Sequence, residues 1–381
     1  MKIGNFLITT ALVAISLSGR VEAQIKVGVT LSTTGPAAAL GIAERNVFDI
    51  LPREIAGQKV EYIFLDDGSD PNTAVRNARK LVDEDMVDIL MGGSTSPNCL
   101  AIVPVAGASK TPYIAMGAAS AIVEPIDDIR RWVFKTVHND SVMMDAVVKH
   151  MVKNGVKRIG YVGLADASGQ GFLKALREKG EPAGINFVAI ETYQRTDQST
   201  LAQVLKLMSI PTDAIFISAH GAAAATPQID LVNKNYKGKV YHTHGVAVND
   251  FLRVTGKASE GVFVPMSPVL IAEQIPDSHP SKKVGLALRE QYNKKFQDFS
   301  IFAGNSWDAF LLFQNAVPTA LKAGKPGTPE FRAAIRDAIE KTKDFAGAAG
   351  VYSITPTDHV GLDERSRFIT QIQQGKWVLV K

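Results

Sequence analysis

Between Ile25 and Thr243 short β-branched runs alternate with helical stretches, and this alternation constrains the fold more than any other feature of the chain. The runs fall at 25–31, 60–66, 87–91, 112–116, 132–137, 158–163, 187–192, 214–218 and 239–243, with helical stretches near 42–51, 73–85, 97–108, 141–154, 171–179, 200–208 and 227–235. Strands spaced by helices of this length imply βαβ units and parallel sheets. Unbroken apolar runs such as Ile215-Phe216-Ile217 suit sheets covered on both faces. The alternation stops near 261–268, where longer helices take over at 281–295, 306–323 and 329–341. A strand-rich tail follows at 351–354 and 367–380. One βα series too long for a single sheet, then helices, then terminal strands, predicts two α/β lobes that the chain crosses between more than once, first at 136–140.

Residues 1–23 stand apart. Lys2 supplies a positive start, residues 6–17 are apolar, and Val21 and Ala23 form a small-residue cleavage site before Gln24. This reads as a signal peptide, too short for a permanent span of about 20 residues. A lipoprotein needs cysteine where Gln24 stands, so the expected product is exported, untethered and periplasmic.

Composition excludes several classes. The net charge of +4 is spread along the 381 residues with no basic run to follow a phosphate backbone, so no nucleic-acid partner is expected. The single cysteine, Cys99, rules out an internal disulfide, and its place inside a helical stretch suits packing. Neither G-x-S-x-G, a P-loop nor H-E-x-x-H occurs. Gly169-Gln170-Gly171 lacks the third glycine of a dinucleotide fingerprint. The chain is expected to be no enzyme and to need no cofactor.

Two loops carry binding chemistry. Gly92-Gly93-Ser94-Thr95-Ser96-Pro97 leaves a strand and opens a helix, with Ser96 placed to cap it and Pro97 at the first helical position. Gly117-Ala118-Ala119-Ser120 repeats the arrangement after the next strand. Either alone is also an ordinary helix start. Together, their free N–H groups suit a carboxylate, each charge-assisted bond contributing roughly 1.5–3 kcal/mol. His242-Thr243-His244 ends a strand, and period 2 puts both histidines on one face; His220 ends the neighbouring strand. Hydrogen bonding in a cleft is the better reading of these histidines than a metal site, which needs three or four ligands.

The order of several landmarks resembles a known family, the type I periplasmic solute-binding proteins of bacterial ABC transporters for branched-chain amino acids (the Leu/Ile/Val-binding kind). These are the opening Val27-Gly28-Val29-Thr30-Leu31-Ser32-Thr33-Thr34-Gly35-Pro36, Asp66-Asp67 before Asp70-Pro71, the two small-residue loops, Asp308-Ala309, Phe345-Ala346-Gly347 leading to Gly350, and Thr355-Pro356. The resemblance covers the whole chain after the leader. It implies two doubly wound parallel-sheet lobes joined by three crossovers, 24–137 with 267–350 and 138–266 with 351–381, closing over a solute as a monomer that delivers to an inner-membrane permease. In that family a serine of the first loop and an amide and hydroxyl of the second hold the solute carboxylate, positions that fall on Ser96, Ala118 and Ser120. An acid that accepts an α-ammonium is replaced by His244 and an aromatic by His220. Tyr-Gly-x-Gly reads Ser168-Gly169-Gln170-Gly171, and a first-lobe Tyr reads Leu40. A buried ammonium without a carboxylate is costly, so these departures resemble the branch that binds aromatic acids, with aromatic 2-oxo acids included. The alternatives are a branched-chain amino acid binder and a ligand-sensing domain of the same fold. Asn305, Trp307 and Phe310 of the helical insert are expected to pack rather than line the cleft.

Overall fold

The computed structural model describes residues 24–380; the leader reading lies outside the described residues. A first sheet holds β1 (Ile25–Leu31), β2 (Glu54–Ile55), β3 (Gln58–Asp66), β4 (Ile89–Gly92), β5 (Tyr113–Ala115) and β6 (Val133–Lys135) in the order β2-β3-β1-β4-β5-β6. All its pairs are parallel except β2–β3. The second sheet contains β7 (Arg158–Leu164), β8 (Asn186–Tyr193), β9 (Ala214–Ser218), β10 (Lys239–His242) and β11 (Phe263–Met266). After a small hairpin of β12 (Phe345–Ala346) and β13 (Val351–Tyr352), β14 (Phe368–Gln373) and β15 (Lys376–Leu379) complete it in the order β15-β14-β11-β10-β9-β7-β8. The last two strands are antiparallel, so both sheets are parallel at their centres and mixed at an edge.

Strand burial follows position. Every residue of β9 is buried between β7 and β10, whereas the edge strand β8 is mostly half-exposed. Apolar side chains can therefore fill both faces of β9, and polar ones are tolerated on β8.

The chain passes between the sheets three times. After β6 it enters the helix Asp140–Lys153, which packs on the helix Ala167–Gly180. After β11 it returns through the helices Pro280–Asn293, Ile301–Ala323 and Pro329–Glu340 to the first lobe, where Asn46 donates to the Tyr292 hydroxyl at 3.0 Å. It passes back before β14; upstream of that, the Lys135 N–H still donates to His359 O at 3.1 Å. Asp308 explains one landmark of the sequence. Its carboxylate accepts from the N–H groups of Ala348 (2.6 Å) and Ala349 (2.7 Å) and from the Tyr352 hydroxyl (2.9 Å), pinning the β12–β13 hairpin to the long helix.

The sequence reading differs from the structure at β11, which lies where the alternation was expected to stop. Pro265 reads as a strand breaker, yet it sits opposite Ile369 of β14. Among the parallel strands of each sheet the order reverses once, between β1 and β4 and between β7 and β9. Such switch points open a crevice beyond the carboxyl ends of the strands.

Candidate functional site

In the first lobe, β4 runs into the helix Ser96–Ser109, but the cap is Thr95, not Ser96, and Pro97 falls one position later than expected. Thr95 has the extended backbone of a cap (φ −131°, ψ 153°) and its hydroxyl goes to Asn98 Oδ1 at 3.0 Å. That leaves the Ser96 side chain to reach across: its Oγ accepts from Ala119 N–H at 3.1 Å and ties the two loops together. Gly117 permits this approach, since a Cβ there would stand 3.1 Å from Ser96 Cα and 2.7 Å from Cys99 Sγ. Ser94 Oγ accepts from Ser32 N–H at 3.0 Å and donates to the Glu44 carboxyl. Burial holds the Glu44 carboxyl well above the usual carboxylate range.

Beneath the second loop lies Lys135, fully buried at the end of β6. Its ammonium donates to Ala118 O at 2.6 Å and Ala119 O at 3.3 Å. Burial lowers its pKa, against the pull of the Asp140 and Glu124 carboxylates. Burial in turn raises Asp140.

In the second lobe, Asp166 caps the helix Ala167–Gly180 by accepting from Ser168 N–H (2.9 Å) and Gly169 N–H (3.1 Å). Gly169 is a packing glycine: a Cβ there would lie 1.9 Å from Leu164 O. The other Asp166 oxygen accepts from Arg195 Nη2 at 2.7 Å, and Arg195 Nη1 meets His220 Nδ1 at 3.1 Å. His244 opens the turn His244–Val246, braced by Thr243 Oγ1 donating to Ala219 O at 2.7 Å. Burial, then the charge of Lys135, pushes the His244 imidazole down to about 4. Among the described residues, neither His220 Nε2 nor His244 Nδ1 has a hydrogen-bond partner, and both are buried.

These elements line a cavity of only about 30 Å³ between the lobes, well below the usual range of about 300–1,000 Å³ for ligand pockets. It brings together Leu40, Ser96, Ala118, Ser168, His220 and His244. Ser120 and Gln170 line a separate groove on the far side of the same loops, with Glu124, Asp140 and Lys174. Phe172 and Phe302 also line the cavity and escaped the sequence reading. Phe302 did so because the helix starts at Ile301, five residues before its expected start. Its neighbours Asn305, Trp307 and Phe310 do not line the cavity; the Asn305 carbonyl accepts from Thr136 Oγ1 at 3.0 Å.

His242 corrects a second expectation. It does not share a face with His244, because β10 ends at His242 and the turn that follows breaks the period of two. Its Nε2 pairs with Gln228 Oε1 at 2.8 Å, and its ring packs on Phe251. Among the described residues no three His, Cys, Asp or Glu side chains stand close enough together to hold a metal. Cys99 donates to Gly93 O at 2.9 Å, and burial pushes its thiol up to about 12.

The family model for periplasmic binding proteins matches residues 24–376. The crystal structure of an extracellular ligand-binding receptor from Rhodopseudomonas palustris HaA2 superposes with a TM-score of 0.92 at 43% identity, covering 94% of this chain and all of that one. The Leu/Ile/Val-binding protein BraC3 of Rhizobium johnstonii is 23% identical over 90% of this chain and 91% of its own. A solute-binding protein of an ABC transporter from Rhodopseudomonas palustris BisB5, solved with 3,4-dihydroxybenzoic acid, shares the fold at 20% identity and a TM-score of 0.79, over 94% of this chain and 97% of that one. With its two mixed α/β lobes, its interlobe cavity and a family match along nearly its whole length, the chain belongs to the periplasmic binding proteins of the type I fold.

Proposed function

We propose that this chain is the solute-binding component of an ABC importer and that its solute is a small aromatic carboxylate, with aromatic 2-oxo acids included. One observation carries the reading: among the described residues no Asp or Glu lines the interlobe cavity, and histidine stands where an ammonium would need an acid. An α-ammonium entering there would be desolvated without a counter-charge, against the like charge of Lys135. A carboxylate meets the opposite balance. It takes the Ser96 hydroxyl and the Ala118 amide, while Lys135 supplies a positive field behind the loop. His244 and His220 donate to a second oxygen, and the ring takes a place among Phe172, Phe302 and Leu40 when the lobes part to admit it.

The dihydroxybenzoate complex of the BisB5 protein supports the reading only in that this fold accommodates an aromatic acid. The reading of residues 1–23 as a leader cleaved before Gln24 supports a protein free in the periplasm. In this proposal a pair of permease subunits in the inner membrane reads the closed form of the monomer. Calorimetry tests the solute class. Benzoylformate, phenylpyruvate or a hydroxybenzoate binds and leucine does not; sub-millimolar leucine binding with none of these acids bound sinks the proposal.

A further inference from the structure

We infer that Arg195 is a positioning residue that fixes His220 as a hydrogen-bond donor into the cavity, so that the solute must present an acceptor oxygen there. A guanidinium only donates and stays charged. The 3.1 Å contact between Arg195 Nη1 and His220 Nδ1 therefore requires a lone pair on Nδ1. A neutral imidazole then carries its one proton on Nε2, the atom that is buried without a partner on a cavity-lining side chain. The cationic form would set an N–H against an N–H and one positive charge against another. Burial, and then Arg195, hold the His220 pKa well below the usual histidine value, in keeping with the neutral form.

Arg195 cannot turn away to accommodate the other tautomer. Its second nitrogen is held by Asp166 Oδ2 at 2.7 Å, and Asp166 is itself anchored by the first N–H groups of the helix Ala167–Gly180. Three segments far apart in sequence thus lock one proton position. The inference rests on the proposed aromatic-acid site and adds a rule to it: a carbonyl, ether or phenolic oxygen satisfies His220 Nε2–H, whereas an ammonium or amide N–H meets donor with donor. The site thereby separates a 2-oxo acid from a 2-amino acid of the same skeleton.

Imidazole ¹⁵N NMR of the ligand-free mature protein at pH 7 should show His220 as the Nε2–H tautomer. Arg195→Met should release it toward a tautomer mixture, and Arg195→Lys, which keeps a donor, should preserve it. Calorimetry reads the consequence with benzoylformate and with phenylacetate, which lacks the second oxygen. Arg195→Met should cut benzoylformate affinity about tenfold while moving phenylacetate by no more than about twofold, the scale of one hydrogen bond. An Nδ1–H or doubly protonated His220 in the native protein overturns the inference. So does an equal loss for both acids, which marks a merely structural arginine. If neither acid binds, the proposed function fails, while the tautomer still decides the role of Arg195. If Arg195→Met does not fold, the native spectrum and Arg195→Lys carry the test.

Discussion

The ammonium of Lys135 lies 2.6 Å from the carbonyl oxygen of Ala118, buried beneath the loop that lines the interlobe cavity. The bond orients that loop, and the charge biases the cavity toward anions. Lys135→Met removes both and leaves the buried Asp140 without its nearby cation. We expect a stability loss of about 3 kcal/mol, the scale for stripping a buried charge of its partner, and benzoylformate affinity reduced at least about tenfold. The His244 titration midpoint should also rise from about 4, because Lys135 is one of the two causes holding it down. Chemical denaturation, calorimetry and NMR titration read the three effects; unchanged affinity in a folded variant would place Lys135 outside the binding machinery.

His244→Glu probes the replacement that sets the proposed solute class. A carboxylate at this cavity-lining position repels a bound aromatic acid, so its affinity should fall by more than about tenfold. An indifferent response, measured by calorimetry at pH 7, puts His244 outside the contact set.

His242 carries a pH dependence whose sign can be worked out. Burial lowers its folded-state pKa to about 3, below an unfolded value of about 6.5. Above about pH 6.5 neither state is charged. As the pH falls below that value, the unfolded chain takes up a proton that the folded protein refuses, so stability is lost down to about pH 3. Between pH 7 and 5 this amounts to about 2 kcal/mol. Buried acids such as Glu44 act in the opposite sense but equally in any variant. Urea unfolding of His242→Gln should therefore show a loss between these two pH values smaller by about 2 kcal/mol than the native protein shows; matching pH dependences would mean that His242 titrates normally.

The cavity walls come from both lobes, so the proposed function predicts that a solute enters by their separation and is held by their closure. Small-angle scattering should record a smaller radius of gyration at saturating aromatic acid than without it. A constant radius would argue against closure as the signal to a permease.

Asp308 accepts three hydrogen bonds in full burial, from Ala348, Ala349 and Tyr352. Asp308→Ala strands these donors and should cost about 3 kcal/mol or more by thermal or urea unfolding. Solute affinity in the surviving folded fraction should stay near that of the native protein, since the hairpin does not line the cavity; a stability change below about 0.5 kcal/mol would contradict this anchoring role.

Local pattern determined most of the scaffold's elements, with β11 the main exception. The bounds of β1 and β9 are those read from their β-branched runs, and the two small-residue loops stand where strands give way to helices. Because parallel strands place their following loops on one edge of each sheet, Ser96 could be grouped with Ala118 and His220 with His244 from sequence order; that the two groups face one cleft came with the family resemblance. The tertiary structure decided what those loops can do. The sequence reading singled out nothing at Lys135; only the covering of β6 by the second loop and by residues near His359 makes it a buried cation. His242 and His244 look equivalent until the strand stops between them. The Asp166–Arg195–His220 chain joins three separate segments, and proton positions depend on which groups meet in space. Periodicity reports which face of an element is apolar, whereas hydrogen-bond polarity is set by contacts that only folding creates.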